Sequence, residues 1–337
     1  MDLTIEPFAW AGDLTPSDLA ANNRIHNAAW AEWLPGERPA SDAALVDMDR
    51  FSAPPERMEK RLARAADGTV VGFAFAHWRE GDPGGCTLRA FVDAAYRRQG
   101  VGRALGADLA QVARAAGRTG VTVEIAPGST AEIAVRDADG FSPGLVVELN
   151  RTDVRAIDGD LLERWRAAGE ASNDYSLVTY DGRCPTDELA RDFIVAREVM
   201  NDAPRPEGTG ESHFSLEELR AVEAASAAAH QDWWNVGVRH DATGELVGIS
   251  ELYLPAKRPW MAFQGDTGVR PDHRGHGLGA WMKAVNHLRL AHERPDVEWV
   301  QTWNAASNEP MLRINRALGF APVQRFQSWY RPFTPLP

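Results

Sequence analysis

The sequence predicts an α/β protein made of two copies of one domain, each with a mixed central β-sheet flanked by helices. The first observation is a glycine-rich segment written twice in register, because VDAAYRRQGVG at 92–102 returns as VRPDHRGHGLG at 269–279. The second is that flanking landmarks recur in the same order, a glycine turn upstream and a Gly-Phe pair downstream. A chain of 337 residues also has room for two domains of about 150 residues each.

The elements follow one order in each half. A strand is followed by one or two helices, predicted at 16–33 in the first half and at 186–200 in the second. Two or three strands, the glycine-rich turn with a long helix, and a closing strand, helix and strand come next. An amphipathic helix at 157–171 joins the halves, so the predicted ranges are an N-terminal domain at 1–155, a linker helix at 156–172 and a C-terminal domain at 173–337.

Each glycine-rich segment lies between an apolar run and a helical pattern, which predicts a strand, a turn and a helix N-terminus. The first N–H groups of a helix have no intrahelical partner, and the helix dipole makes that end positive. Glycines there let a phosphate group approach the amides. The R-x-x-G-x-G pattern contains neither the Gly-Lys-Ser/Thr of a P-loop nor the G-x-G-x-x-G of a dinucleotide fingerprint.

Composition narrows the class of protein. The 48 acidic residues outnumber 36 basic ones, and this formal charge of −12 disfavours a nucleic-acid partner while suiting a cationic acceptor. The two cysteines, Cys86 and Cys184, predict no disulfide framework. No signal-like segment or long apolar run is seen, so we expect a cytoplasmic protein with no membrane partner. Either a monomer or a homodimer is compatible with the sequence.

Strand, V-x-x-x-x-R-x-x-G-x-G, helix, strand and a helix ending in L-G-F together resemble the GNAT superfamily of acetyl-CoA-dependent N-acetyltransferases. The resemblance covers nearly the whole chain as two tandem copies, and we expect it to be strongest in the second copy. It implies that acetyl-CoA is the cofactor. It also implies that two neighbouring strands of each sheet splay apart and that the pantetheine arm of CoA lies between them.

The resemblance also assigns cofactor-binding residues. In the second copy the implied set is Val269, Arg274, Gly275, His276, Gly277, Leu278 and Gly279, and in the first it is Val92, Arg97, Arg98, Gln99, Gly100, Val101 and Gly102. A second cofactor-contacting segment follows the next strand and supplies Asn304, Asn308 and Asn315, although Asn308 is also placed to cap a helix before Pro310. The equivalent segment of the first copy, 126–141, contains no Asn. We therefore predict that the first domain is a scaffold or a degenerate site and that the second is catalytic.

An alkylammonium with a pKa of about 10.4 must lose a proton before it attacks a thioester, so the reaction needs a base. The strand that enters the second glycine turn contains one acid, Asp266, and the preceding strand offers Glu251 as the alternative. The matching strand of the first copy, 84–92, contains none. Asp266 lies three residues before Val269, so its use as the base requires a β-bulge between Gly265 and Gly268. A structural hydrogen bond to loop amides is the other interpretation of Asp266.

One position departs from the family pattern. Many relatives carry a Tyr proton donor four residues before the glycine of L-G-F, where this chain has Asn315. The D-H-R-G-H run at 272–276 is better explained by the cofactor loop than by a metal, so no metal is predicted. The leading hypothesis is direct acetyl transfer to a small-molecule amine by the C-terminal domain. A CoA-binding sensor or scaffold without turnover, transfer of another acyl group, and transfer to protein lysine stay open.

Overall fold

A computed structural model describes residues 2–50, 56–81, 84–136, 138, 140–205 and 210–333. Contacts between residues divide the chain into two compact units. The first unit comprises Met1–Val147, Arg205–Gly210 and Gln324–Pro337. The second unit comprises Glu148–Pro204 and Glu211–Val323.

The first copy of the repeat forms four helices and six strands within the described ranges. The helices are α1 (Pro16–Trp33), α2 (Asp42–Arg50), α3 (Val101–Ala115) and α4 (Thr130–Arg136). The strands are β1 (Leu3–Phe8), β2 (Glu56–Ala65), β3 (Val70–Arg79), β4 (Cys86–Val92), β5 (Gly120–Ile125) and β6 (Ser142–Asp153).

The second copy forms five helices and six strands within the described ranges. The helices are α5 (Gly159–Glu170), α6 (Asp187–Arg197), α7 (Leu216–Ala228), α8 (Leu278–Glu293) and α9 (Glu309–Ala317). The strands are β7 (Tyr175–Asp181), β8 (Gln231–His240), β9 (Leu246–Pro255), β10 (Met261–Val269), β11 (Trp299–Ala305) and β12 (Ala321–Pro332).

The sheet of each unit is mixed, as predicted. In the first unit the strand order is β1-β2-β3-β4-β5-β12, with a parallel β4–β5 pair and otherwise antiparallel pairs. In the second unit the order is β6-β11-β10-β9-β8-β7, and β10–β11 is the parallel pair. One strand at the end of each order, β12 in the first unit and β6 in the second, therefore comes from the other copy of the repeat. The repeated sequence itself does not indicate this exchange.

Local sequence signals explain where several helices begin. The Thr15 hydroxyl accepts a hydrogen bond from the Asp18 amide at 3.2 Å, and Pro16 starts α1. Ser215 and Glu218 form a capping box at the start of α7. Because a side-chain oxygen at these positions satisfies an amide without an intrahelical partner, the residue types fix the helix starts.

The predicted elements agree with the structure. Helix α1 has the predicted bounds, and the segment predicted as helix at 186–200 forms α6 followed by a 3-10 turn at Glu198–Asp202. Helix α5 corresponds to the predicted linker and belongs to the second unit. It packs closely on α8, since a Cβ atom on Gly169 would lie 2.0 Å from the Trp281 ring. Within the described residues, no helix combines the length and the apolar character that crossing a membrane requires.

Helix α8 carries two ionisable side chains into the core of the second unit. Lys283 and His287 are each 1 % exposed and lie one helical turn apart. The Lys283 ammonium lies 6.0 Å from the Phe320 ring centroid, and no carboxylate among the described residues forms an ion pair with it. Burial lowers the pKa of Lys283 to about 7 and, together with the Lys283 charge, lowers the pKa of His287 to about 3.

Replacing the buried amine should stabilise the fold in a pH-dependent way. The folded state holds Lys283 neutral above about pH 7, whereas the unfolded chain keeps it protonated up to about pH 10.4. Lys283→Met should therefore raise the free energy of unfolding by up to about 5 kcal/mol at pH 7 and by much less near pH 10, as measured by urea denaturation. The exposed Lys257→Met is the matched control, and an equal effect of both variants would contradict the prediction.

Candidate active site

Strands β10 and β11 of the second unit separate after a short parallel ladder. They pair only at Met261↔Trp299, Ala262↔Val300 and Phe263↔Gln301, although β10 continues to Val269 and β11 continues to Ala305. The two strands therefore diverge over their last residues. This is the splay that the sequence resemblance implied.

Strand β10 contains a β-bulge at the start of this divergence. Gln264 pairs with Leu252 and Thr267 pairs with Ser250, so Gly265 and Asp266 together stand opposite Glu251. A bulge turns a side chain out of the regular alternation of a strand. The irregularity that Asp266 requires is thus present, and it brings Asp266 to the same face of the sheet as Glu251.

Arg197, the last residue of α6, joins the two carboxylates. Its guanidinium donates to Asp266 Oδ2 at 2.6 Å and to Glu251 Oε1. The Tyr253 hydroxyl donates to the other oxygen of Glu251 at 3.2 Å, and the Tyr253 ring stacks on Trp233. Both candidate bases therefore belong to one cluster that four secondary-structure elements hold together.

The two carboxylates of this cluster differ in environment. The Glu251 side chain is 4 % exposed, whereas that of Asp266 is 34 % exposed. Burial, reinforced by the nearby Asp266 charge, raises the pKa of Glu251 to about 7, although Arg197 acts in the opposite direction. Burial also raises the pKa of Tyr253. The cluster thus combines a carboxylate that titrates near neutrality with one that solvent reaches.

The glycine-rich loop follows β10 and ends at the first residue of α8. Gly275 and Gly277 have φ of +87° and +73°, and a Cβ atom at either position would meet nothing within 4 Å. The loop therefore needs glycine for its backbone conformation and leaves open space above the helix N-terminus. Gly279 differs, because its Cβ direction faces Ile314 of α9 at 3.5 Å, and Leu278 is buried in the core.

The charged side chains of the loop are engaged within the second unit. Arg274 donates from Nε to the Val269 carbonyl at 2.9 Å and pairs with Asp202 at 2.8 Å, so it braces the loop rather than extending from it. His276 is exposed. His273 hydrogen-bonds the Tyr175 hydroxyl at 3.0 Å. In the part of the chain that the structure describes, no three His, Cys, Asp or Glu side chains are grouped to hold a metal ion.

The three predicted asparagines occupy different roles. Asn315 is 1 % exposed and donates to Asn304 Oδ1 at 2.9 Å, which ties α9 to the end of β11. Asn308 caps α9 by accepting from the Met311 amide at 3.4 Å, which is the structural interpretation weighed for it. Two buried acceptors of the second unit, Asn315 Oδ1 and Gln264 Oε1, have no hydrogen-bond partner among the described residues.

The first unit has the same strand divergence without the same site. Strands β4 and β5 also pair at three positions, but at the next position an Arg89–Glu124 ion pair joins the strands. The β3–β4 ladder is regular, so no bulge interrupts it. Phe75 lies where the second unit has Glu251, and it faces Arg89 across the ladder. At the described positions equivalent to Glu251 and Asp266, this unit therefore has no pair of acids, and an ion pair spans the gap between its strands.

The loop of the first unit keeps the turn but has a side chain where the second loop has a glycine. Gly100 has φ of +90°, but Arg98 stands where Gly275 stands in the second copy and adopts φ of +63°. Arg97 braces the loop by donating to the Val92 carbonyl at 3.2 Å and pairing with Glu32. The remaining predicted residues have structural contacts: Gln99 donates to the Ala95 carbonyl, Val101 is buried in the core, and the Cβ direction of Gly102 faces Val92.

Comparison with known proteins identifies the class. The model of the acetyltransferase (GNAT) family matches residues 22–141. A mycothiol acetyltransferase of Clavibacter sepedonicus is 30 % identical over 302 residues, which cover 84 % of this chain and 90 % of that protein. One of Nocardiopsis dassonvillei is 27 % identical over 314 residues, covering 85 % of each. The fold and these matches define an acetyltransferase, and the chain belongs to the GNAT family.

Solved structures agree with this assignment. A tandem GNAT protein from the clavulanic acid biosynthesis pathway superposes with a TM-score of 0.75 at 26 % identity, covering all of both chains. A GCN5-related N-acetyltransferase from Sphaerobacter thermophilus shares the fold, with a TM-score of 0.68 at 19 % identity and coverage of 99 % of this chain and 96 % of that one. The family model matches within the first copy, at residues 22–141, whereas the sequence led us to expect the stronger resemblance in the second.

Three residues of the site were not found by sequence reasoning. Arg197 precedes Glu251 by 54 residues, and nothing in its neighbourhood marks it as a partner of two acids. Tyr253 lies two residues after Glu251 on β9, and no motif of the sequence singles it out. Gln264 is the last paired residue before the bulge. The sequence does contain a sign of the extra residue, because Val269 follows Gly248 by 21 residues whereas Val92 follows Gly72 by 20.

Gly277→Glu should remove CoA binding at the second loop, because it places a carboxylate in the open space at the helix N-terminus. We expect the affinity of this loop for CoA, measured by isothermal titration calorimetry, to fall by about a hundredfold or more. Gly244→Glu is the matched control, since Gly244 has the same φ of +73° and equally open space in the β8–β9 turn. Unchanged CoA affinity in Gly277→Glu would show that this loop is not the binding site.

Proposed function

We propose that the protein is an acetyl-CoA-dependent N-acetyltransferase that transfers acetyl directly to an amine of a small molecule, at the site of the second unit. The observation that carries this proposal is the conjunction of a strand gap, an open glycine loop and an acid cluster on neighbouring elements of one unit. The first unit has the gap and the loop, but Phe75 stands at the position of Glu251 and Arg89 at the position of the bulge.

The residues at the second site suit an acyl-CoA. Gly275 and Gly277 leave space for a pyrophosphate at the N-terminus of α8, where amides and the helix dipole favour negative charge. Buried acceptors without a partner are costly, and Asn315 Oδ1, on the side chain that donates to Asn304 at the end of β11, is one of them. The amide N–H groups of a pantetheine arm are donors of the kind this oxygen lacks. When bound, acetyl-CoA supplies a thioester as the acyl donor.

The acid cluster can provide the base. A catalytic base works best when its pKa lies near the working pH, and Glu251 has a pKa of about 7. Asp266 is the more accessible carboxylate and would receive the ammonium form of the acceptor. Glu251, bonded to Arg197 and Tyr253, would then take up the proton. Asp266 and Glu251, the two predicted candidates, thus have complementary roles in this proposal.

Transfer without an acyl-enzyme is consistent with the cysteines. Both are buried. Burial raises the pKa of Cys86 to about 11 and also raises the pKa of Cys184, so neither thiol is a ready nucleophile. The CoA thiol has a pKa near 8.5, typical of free thiols, and can leave as a thiolate with little need for a proton donor. The Asn at position 315 is therefore compatible with turnover.

The relatives support a small-molecule acceptor. Two proteins named mycothiol acetyltransferase match along most of this chain. The formal charge of −12 favours the approach of a cationic amine. A cytoplasmic location is part of the same proposal, because acetyl-CoA and small amines would both be available there.

A CoA-binding protein without turnover is the second candidate, and the Asn at position 315 is the observation that favours it. Release of free thiol from acetyl-CoA over a panel of amines, with mass spectrometry of the products, separates the two functions. Thiol release with one acetylated amine supports the enzyme. Tight CoA binding with no thiol release for any acceptor would instead support the sensor.

The pH dependence of turnover should identify the base. Since Glu251 must be ionised, kcat/KM should rise with pH up to about 7 and then level. We call this rising part of the pH profile the acid limb. Arg197→Gln removes a positive charge that lowers the pKa of Glu251, so it should move the acid limb to higher pH. Asp266→Asn removes a negative charge and should move the limb to lower pH, while lowering turnover by about a hundredfold. Asp296→Asn, an exposed control, should leave the limb in place, and an unaltered limb in Asp266→Asn would rule out the assignment.

Matched loop variants should identify the catalytic unit. Gly100 and Gly277 both have positive φ and open Cβ directions, so a glutamate costs similar backbone strain at each. Gly277→Glu should abolish turnover of acetyl-CoA, and Gly100→Glu should leave it nearly intact. A comparable loss in Gly100→Glu would place the catalysis in the first unit, the region that the family model matches.

A further inference from the structure

A group of three buried polar side chains lies beneath the bulge of β10. Gln264, Ser250 and Thr267 are 5 %, 0 % and 8 % exposed, on the sheet face opposite the acid cluster. The Gln264 side-chain nitrogen donates to the Glu251 carbonyl at 2.5 Å and lies 3.3 Å from both the Ser250 and the Thr267 hydroxyl. These two hydroxyls are 3.1 Å apart. We call Gln264, Ser250 and Thr267 the bulge triad.

The bond to the Glu251 carbonyl explains what the triad does. A bulge places two residues opposite one and disrupts the ladder there, so the opposing backbone groups need other partners. The Gln264 amide supplies a donor to the carbonyl that faces the bulge. Only the nitrogen end of the amide can face a carbonyl oxygen, so this contact also fixes the orientation of the group. From the other side, the Thr302 hydroxyl donates to the Gln264 carbonyl at 3.2 Å.

The first unit provides an internal comparison. Its ladder pairs Ala74 with Ala90 and Ala76 with Leu88, at the register positions that Ser250, Thr267, Leu252 and Gln264 occupy in the second unit. One residue, Arg89, separates Leu88 from Ala90, whereas Gly265 and Asp266 separate Gln264 from Thr267. The polar triad thus occurs with the extra residue, and alanine and leucine occur where the ladder is regular.

We propose that the bulge triad, with Gln264 at its centre, is a positioning element that holds the β10 bulge and thereby keeps Asp266 on Arg197 beside Glu251. Burying three polar side chains in an apolar sheet face has a cost that their mutual hydrogen bonds offset. Apolar residues could fill the same space, as they do in the first unit. The triad therefore serves the geometry of the strand rather than the stability of the core.

This proposal rests on the proposed function for its kinetic test and is independent of it for its structural test. Gln264→Leu and the triple variant Gln264→Leu/Ser250→Ala/Thr267→Ala give the second unit the side chains of the first. We expect Gln264→Leu to lower the melting temperature, because it leaves the buried Glu251 carbonyl without its donor. We expect the triple variant to be no less stable than Gln264→Leu, because it also removes the two hydroxyls that lose the amide as a partner. We also expect turnover to fall by about tenfold or more, with CoA affinity retained.

The pH profile separates positioning from a purely structural role. When Asp266 leaves Arg197, its charge no longer acts on Glu251, so the acid limb of kcat/KM should move to lower pH. The matched control is Gln301→Leu, because Gln301 is also 5 % exposed in a neighbouring strand and accepts from Arg151 at 2.6 Å. This control should leave the limb where it is. A limb in the triple variant that matches the wild type would overturn the proposal.

Hydrogen exchange of the protein without substrates tests the bulge itself. The amides of residues 264–268 should exchange faster in the triple variant, while those of α8 keep their protection. If the wild type proves to have no transferase activity, this local change still supports the triad and only the proposed function fails. Unchanged exchange at 264–268 would mean that the bulge holds without the triad, and the proposal would be wrong.

Discussion

The divergence of two parallel strands is the constraint on which the rest of the second site depends. After three paired residues, β10 and β11 stop sharing a ladder, and the chain must satisfy the groups that face the gap in other ways. The Thr302 hydroxyl meets part of this demand by donating to the Gln264 carbonyl at 3.2 Å, and the Asn304–Asn315 contact ties the end of β11 to α9. Asn315 Oδ1 is a buried acceptor near the end of β11 that has no hydrogen-bond partner among the described residues. An amide N–H of a ligand placed there would supply the missing donor.

The two carboxylates of the acid cluster differ in burial and solvent exposure because of where they lie in the fold. Glu251 and Asp266 are both bonded to Arg197, yet burial raises the pKa of Glu251 toward neutrality while Asp266 stays accessible to solvent. In the first unit, Arg89 and Glu124 form an ion pair across the gap, and Phe75 stands where Glu251 would be. The same fold therefore holds one arginine with one acid in the first unit and one arginine with two acids in the second. The family match at residues 22–141 identifies the fold family of the first copy. The side chains at the strand gap, and not this match, determine which chemistry the unit can perform.

Much of this was predictable from the sequence. The repeated glycine segment gave the tandem fold, since glycine with positive φ, an apolar strand before it and a helix after it are local requirements that residue types state directly. The sequence showed that Asp266 can be the base only with a bulge, because it lies at an odd distance from Val269 and strand alternation has a period of two. Arg197 was not predictable, because its contact with Glu251 and Asp266 joins segments 54 and 69 residues apart. The pairing of β12 with β5 and of β6 with β11 was equally unpredictable, since neither β6 nor β12 has a local sequence feature that specifies its neighbouring strand.

The sequence by itself thus determined the family, the two copies, the loop that suits a phosphate and the two acids that could act as a base. Tertiary structure decided that these acids share one arginine, that Glu251 is buried and Asp266 is not, and that Asn308 caps a helix while Asn315 reaches Asn304. The physical reason is that helix starts, turns and strand alternation depend on neighbours within a few residues. Burial, charge pairing and pKa depend on which distant segments meet, and the linear pattern carries no direct signal of that.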